Sequence, residues 1–167
     1  MQVSITKGER CDALHIVRSD GTVAQSDFPK KGLLPHDAIH YFVEDCLDMA
    51  NGFWGMVAKG VDPAQVQIIA KAGGHASASR ADAPDPAIVE LVQAERIVEV
   101  FEADHWSGGS DGATLRDIAR AGCEASHVPL PDLSDACVLA IRARISALQA
   151  EWIMAPPGHS FNFCWEI

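Results

Sequence analysis

Short stretches with the two-residue period of β-strands occur at both ends of the chain. Near the start, apolar and β-branched residues alternate with polar ones at positions 3–6 and 13–17, and turn residues at 19–21 precede another short run at 22–24. The last eight residues, 160–167, alternate in the same way. We expect an antiparallel meander at the amino end, with the carboxyl-terminal strand paired to it.

The middle of the chain has the period of amphipathic helices instead. Proline follows aspartate at Asp62 and again at Asp85, a pattern typical of a capping residue followed by the first helical turn. Helical periodicity predicts helices at about residues 35–50, 62–73, 86–104, 113–121 and 132–154. The sequence therefore predicts an α+β fold in which a small antiparallel sheet from both chain termini packs against about five helices.

The remaining segments are predicted to connect these elements. Residues 53–58 form a short apolar segment after the first helix, and residues 73–85, rich in Ala, Gly, Ser and Pro, predict a flexible loop. With 167 residues, 48% of them hydrophobic, the chain has enough apolar material for one sizeable core. We expect a single domain over residues 1–167.

The longest predicted helix carries one continuous apolar seam. Its members lie three or four residues apart and are Val138, Ile141, Ile145, Leu148 and Trp152. Such a seam packs against other helices, either in the core of the same chain or across a homodimer interface. Both interpretations stay open at the level of sequence.

The net charge of −10 is unevenly spread, since residues 81–167 carry about −9 of it. An acidic surface repels phosphate backbones and anionic lipids, so nucleic acid and membranes are disfavoured as partners. No apolar run approaches the length of a membrane span, and the first residues lack the long apolar stretch of a secretory signal. We therefore expect a cytoplasmic protein.

The five cysteines suggest neither a disulfide framework nor a cysteine zinc site. They are widely spaced and form no Cys-x-x-Cys pair: Cys11, Cys46, Cys123, Cys137 and Cys164. Most are expected to be buried thiols.

The candidate chemistry lies in the first helix, where His36, His40 and Glu44 recur every four residues. This spacing stacks the three side chains along one side of the helix, and on a wheel centred on Ile39 they climb from the edge of the buried face towards solvent. The outer two are about 12 Å apart along the axis at 1.5 Å per residue, so only one adjacent pair can bind a single ion. Another ligand must come from elsewhere, and the remaining histidines are His15, His75, His105, His127 and His159.

Two resemblances involve this helix. The five residues from His36 to His40 resemble the His-Glu-x-x-His motif of zinc metalloproteases, with Asp37 in place of the glutamate that acts as general base. This similarity implies zinc binding by the two histidines and proton transfer by a shorter carboxylate. The longer segment 34–44, with the turn at 51–55, resembles a Leu-Pro-x-His-Asp-x-x-His-Tyr-x-x-Glu helix and Gly/aromatic turn in a group of small bacterial proteins of unknown function. That resemblance implies a shared fold and no reaction.

The loop at residues 108–112 contains Gly-x-Ser-x-Gly, the pattern of the α/β-hydrolase nucleophile elbow, and Asp132, Asp135 and His159 follow it in the required order. An elbow needs a preceding strand, whereas the residues before this loop are predicted to be helical. We therefore expect Ser110 or Asp111 to cap the next helix.

Two functions from different classes remain. The one favoured by the sequence is a non-catalytic binding or scaffolding protein, in which His36 and His40 brace a neighbouring loop. The alternative is a small metal-dependent hydrolase, in which His36 and His40 bind a divalent transition metal such as zinc and Glu44 or Asp37 transfers a proton. A metal-free acid–base role for His40, oriented by Glu44, is a further interpretation.

Overall fold

A four-stranded antiparallel sheet joins the two ends of the chain. The computed structural model describes residues 1–72 and 83–166, so most of the loop expected at 73–85 lies outside the described residues. The strands are β1 (Gln2–Thr6), β2 (Cys11–Val17), β3 (Val23–Pro29) and β4 (Ser160–Cys164), in the spatial order β3-β2-β1-β4. β4 pairs with β1, which confirms the predicted pairing of the terminal strand with the meander.

Six α-helices are present in the described part of the chain. They are α1 (His36–Cys46), α2 (Phe53–Ala58), α3 (Pro63–Ala72), α4 (Val89–Trp106), α5 (Gly112–Ala125) and α6 (Asp135–Trp152), with a single 3-10 turn at Pro86–Ile88 before α4. The prediction of an α+β fold is confirmed. The sequence predicted about five helices, and α2 is the helix that was not among them. None of the helices described is both long and apolar enough to cross a lipid bilayer.

The caps explain where the helices begin and end. The side chains of Asp111 and Ser134 accept backbone N–H groups at the starts of α5 and α6, as such residues do at N-caps. The first helix ends at Cys46, earlier than the predicted stop near residue 51, and Asp48 two residues later has φ +50°. The chain therefore leaves the helix early and turns back to place α2 against it.

The core lies between one face of the sheet and the helices. Alternate residues of β1 and β2 point into it, and Val3 and Ile16 are paired across the two strands. The whole apolar seam of α6 is at most 2% exposed, from Val138 to Trp152. The seam therefore packs in the core of this chain and is not exposed for contact with a second copy.

The prediction for the cysteines is wrong for most of them. Only Cys123 is buried, whereas Cys11 and Cys164 are exposed and Cys46 and Cys137 are intermediate. The two exposed cysteines lie at strand positions whose side chains point away from the helices, so the alternation of the strands decides their exposure. None of the five forms a disulfide in this structure.

Candidate metal centre

Glu44 lies fully buried between α1 and α2. The wheel prediction that it approaches solvent is wrong, since its exposed fraction is 0%. The wheel treated α1 as having a single buried face, but α2 packs over the side on which Glu44 lies. One carboxylate oxygen accepts the backbone N–H of Phe53 at 3.0 Å and the other accepts that of Trp54 at 2.9 Å. Glu44 therefore supplies the partners that the first N–H groups of α2 need.

The backbone at Gly52 comes so close to Glu44 that it has no room for a side chain. A Cβ atom built there would lie 2.5 Å from one carboxylate oxygen of Glu44 and 2.6 Å from its Cδ. Gly52, in the turn that follows the first predicted helix, thus allows the N-terminus of α2 to approach the carboxylate. Gly52 has φ −71°, so the requirement for glycine is one of space.

Both histidines of α1 are held by a carboxylate through the same ring nitrogen. The Nδ1 atom of His40 is 2.9 Å from Glu44 Oε1, and the Nδ1 atom of His36 is 3.0 Å from Oε1 of Glu102 on α4. An ionised carboxylate only accepts hydrogen bonds, so each Nδ1 carries a proton and donates it. The Nε2 atoms of His36 and His40 are thereby the ones available to a metal ion, as in carboxylate–histidine–zinc arrangements.

A third residue, Glu95 of α4, faces both Nε2 atoms. Its Oε2 atom is 3.8 Å from Nε2 of His36 and 3.7 Å from Nε2 of His40. One ligand atom from each of the three residues lies within 4.8 Å of the others, which makes them a candidate cation site among the described residues. Ligands at 2.0–2.2 Å from tetrahedral zinc are about 3.3 Å apart, so binding requires inward movements of less than about 1 Å.

The three side chains are almost removed from solvent. The side chains of His36, His40 and Glu95 are 10%, 2% and 9% exposed. The Nε2 atom of His36 is buried and makes no hydrogen bond to any residue that the structure describes. A buried polar atom of this kind is costly unless something binds to it, which points to a ligand at this position.

The carboxylates around His40 determine its charge when no cation is bound. Burial lowers the pKa of His40, but the negative charge of Glu95 and the hydrogen bond to Glu44 outweigh it and raise the pKa to about 10. Burial also lowers the pKa of His36, but the neighbouring carboxylates of Glu102 and Glu95 outweigh this effect, so the net shift is upwards. The carboxylates therefore create a site that favours positive charge, supplied either by protons or by a metal ion.

A cavity of about 130 Å³ borders this group. It lies between the end of β3, the start of α1, α3 and α4, and its lining includes His36, Asp37 and Glu95. Burial raises the pKa of Asp37, and the nearby charges of His36 and His40 only partly offset this effect. Glu44 does not line the cavity, and its oxygens are already occupied by hydrogen bonds from His40, Phe53 and Trp54.

The other predicted donors do not join this group. Where they are described, His15, His105, His127 and His159 belong to no cluster with the spacing of metal ligands, and His75 lies outside the described residues. In the Gly-x-Ser-x-Gly loop, the hydroxyl group of Ser110 donates to Asp104 at 2.6 Å, and His159 lies against Glu151 at 2.8 Å. The helix α4 precedes this loop, and Asp111 caps α5, as predicted.

Sequence reasoning missed the two glutamates of α4 that complete the site. Glu95 lies in the helix predicted at 86–104, three residues from both Val92 and Val98, and a charged residue on this apolar side was a signal that could have identified it. The position of Glu102 carries no such signal, because it lies near the exposed end of the same helix.

The chain matches no family model, no curated protein and no solved structure. The geometry of the site is therefore the basis on which a function can be inferred.

Proposed function

We propose that this protein is a small metal-dependent hydrolase whose metal ligands are His36, His40 and Glu95. The observation that carries the proposal is the convergence of two Nε2 atoms on one carboxylate oxygen, at 3.8 and 3.7 Å, beside a cavity. Two imidazoles and one carboxylate form the donor set of several catalytic zinc sites, and three protein ligands leave a coordination position for water or substrate. Zinc is the metal that this donor set fits best, and other divalent transition metals remain compatible with it.

The cavity supplies what a catalytic site needs in addition to ligands. A bound divalent metal would acidify water and polarise a carbonyl group. Of the two carboxylates predicted to transfer protons, Asp37 is the one that lines the cavity, where it can reach a water molecule held beside His36. Asp37 adjoins His36 in the chain, as the corresponding residue does in the metalloprotease motif.

Glu44 and Glu102 act as positioning residues in this proposal. Each accepts a hydrogen bond from the Nδ1–H group of one histidine and so orients the Nε2 atom of that histidine. Glu44 has a second role, because it fixes α2 against α1. We therefore replace the hypothesis of proton transfer by Glu44 with one in which it holds His40 in place.

A structural role is the second candidate, and the raised pKa of His40 favours it. A protonated His40 between Glu44 and Glu95 would form a buried ion pair that braces α1 against α4 without any metal. The binding or scaffolding hypothesis had the histidines brace a neighbouring loop, whereas this ion pair would join the helices α1 and α4.

Zinc titration of the chelator-treated full chain distinguishes the two. Isothermal calorimetry should give one zinc ion per chain, and His36→Gln, His40→Gln and Glu95→Gln should each weaken binding at least tenfold. His159→Gln is the matched control, since His159 also pairs with a glutamate, in a more exposed pair, and does not belong to the cluster. Zinc binding that is equally strong in the three site variants and in the control would refute the proposal.

A hydrolytic test separates catalysis from binding. The zinc-loaded protein should hydrolyse small activated esters, and Asp37→Asn should lower kcat while leaving zinc stoichiometry unchanged. Zinc bound stoichiometrically without any turnover that depends on Asp37 would contradict the enzyme while leaving the metal site intact.

A further inference from the structure

The cavity beside the candidate ligands is small and partly apolar. Apolar side chains from β3, from the segment before α1 and from α3 form much of its wall: Phe28, Pro29, Leu34, Pro35 and Ala70. Its volume of about 130 Å³ is close to that of an engineered cavity of roughly 150 Å³ that holds benzene. A ligand of about six to eight non-hydrogen atoms fits this space.

Lysines cluster around the same cavity. Three of the five lysines in the chain, Lys30, Lys31 and Lys71, belong to its lining, although the net charge of the protein is −10. The ammonium group of Lys30 lies 3.6 Å from Asp12 and donates to the carbonyl oxygen of Gly8, so its charge is already engaged.

Lys31 and Lys71 are exposed, and no ion pair joins either to another residue in 1–72 or 83–166. Their charges therefore remain available at the solvent side of the cavity.

The cavity thus has two positive regions once a metal is bound. The candidate ligands His36 and Glu95 are buried at its inner side, whereas the lysines are exposed at its outer side. Lys31 also acts electrostatically on Asp37, which places its charge near the candidate general base. A substrate with an anionic group at one end and a hydrolysable bond at the other would match both regions.

We propose, as a conclusion that rests on the proposed function, that the substrates are small organic anions whose carboxylate or phosphate group is held by Lys31 and Lys71. The hydrolysable bond, a C–O or C–N bond to a carbonyl carbon, lies towards His36 and Glu95. Water forms a new C–O bond to that carbon, the bond to the leaving oxygen or nitrogen breaks, and the second proton of the water passes through Asp37 to the leaving group. No oxidant or further reactant is needed.

Binding of butyrate and of its neutral analogue butyramide tests this inference. Amide chemical shifts of the ¹⁵N-labelled, zinc-loaded full chain report the affinity of each probe, and inorganic phosphate distinguishes a phosphate from a carboxylate preference. Butyrate should bind at least about fivefold more tightly than butyramide, as expected for two partly exposed charge contacts. Lys31→Met together with Lys71→Met should remove the preference, because methionine keeps the apolar stem and loses the charge.

Two controls are needed. The first tests whether the loss of any lysine charge has the same effect, and the second tests whether the probe binds through zinc. Lys59→Met should keep the preference, since Lys59 donates to Asn51 and does not line the cavity. The lysine-dependent preference should also persist in the chelator-treated, zinc-free full chain, in which the probe has no zinc ion to bind.

Equal affinities for the two probes, no binding of either, or a preference that survives in the double lysine variant would overturn the inference while leaving the metal site untouched. If the protein binds no zinc but still prefers butyrate to butyramide through Lys31 and Lys71, only the proposed function is refuted.

Discussion

Replacing Gly52 with alanine should be among the most damaging single substitutions in this chain. The added Cβ would lie 2.5 Å from a carboxylate oxygen of Glu44 and 3.0 Å from its Cγ, distances at which an atom must move. Glu44 is fully buried and cannot swing into solvent, so its displacement breaks the hydrogen bonds from Phe53, Trp54 and His40 together. Breaking a buried charged network costs about 3–5 kcal/mol of the free energy of unfolding.

Urea denaturation followed by tryptophan fluorescence measures this cost. Gly32→Ala is the matched control, because nothing lies within 4 Å of a Cβ built there and its φ is not in the left-handed region. We expect the control to stay within about 0.5 kcal/mol of the unmodified protein. A Gly52→Ala protein that unfolds at the same urea concentration as the control would refute the account of how Glu44 is held.

Three further predictions concern charge. Asp104→Asn should destabilise the protein by about 2–4 kcal/mol at pH 7, since Asp104 accepts from Arg142 at 2.8 and 2.9 Å and from the N–H group of Ser110 at 2.7 Å. Burial raises the pKa of Asp104, but these hydrogen bonds outweigh it and lower the pKa below its usual value. The stabilisation by Asp104 is therefore present above the carboxyl pKa of the unfolded state, about 3.9, and disappears as the pH falls through the lower pKa of the folded state. The urea curves of the variant and the unmodified protein should thus converge in acid. A difference between their urea midpoints that does not change with pH would contradict this.

Glu102→Gln should weaken zinc binding about tenfold with little change in the urea midpoint, because Glu102 orients His36 from a partly exposed position; unchanged affinity in a chelator competition would argue against the positioning role. Zinc affinity should rise at least about tenfold from pH 6 to pH 7, because His40, with a pKa raised to about 10, must release a proton to bind the metal. Competition titrations at the two pH values check this, and an affinity independent of pH would contradict it.

Local patterns predicted much of the architecture. The two-residue period of the terminal segments, the Asp-Pro starts and the apolar seam of α6 each specify one element and the face that it buries, so they could be interpreted without knowing the neighbouring elements. The helix α2 was missed because its six residues are too few to establish a period.

The candidate site was predictable only in part. The spacing of His36 and His40 identified the ligand pair on α1, because both residues lie on one helix. Glu95 is about fifty-five residues further along the chain, and its approach depends on how α4 packs against α1. The burial of Glu44 likewise depends on α2 folding back over it, and no property of α1 alone could indicate that.

Anomalous diffraction at the zinc absorption edge, from crystals of the zinc-loaded full chain, tests the central claim most directly. The account predicts a strong peak about 2.1 Å from the Nε2 atoms of His36 and His40 and from a carboxylate oxygen of Glu95. A map with no peak between these three side chains, or with zinc bound through a different set of ligands, would contradict it.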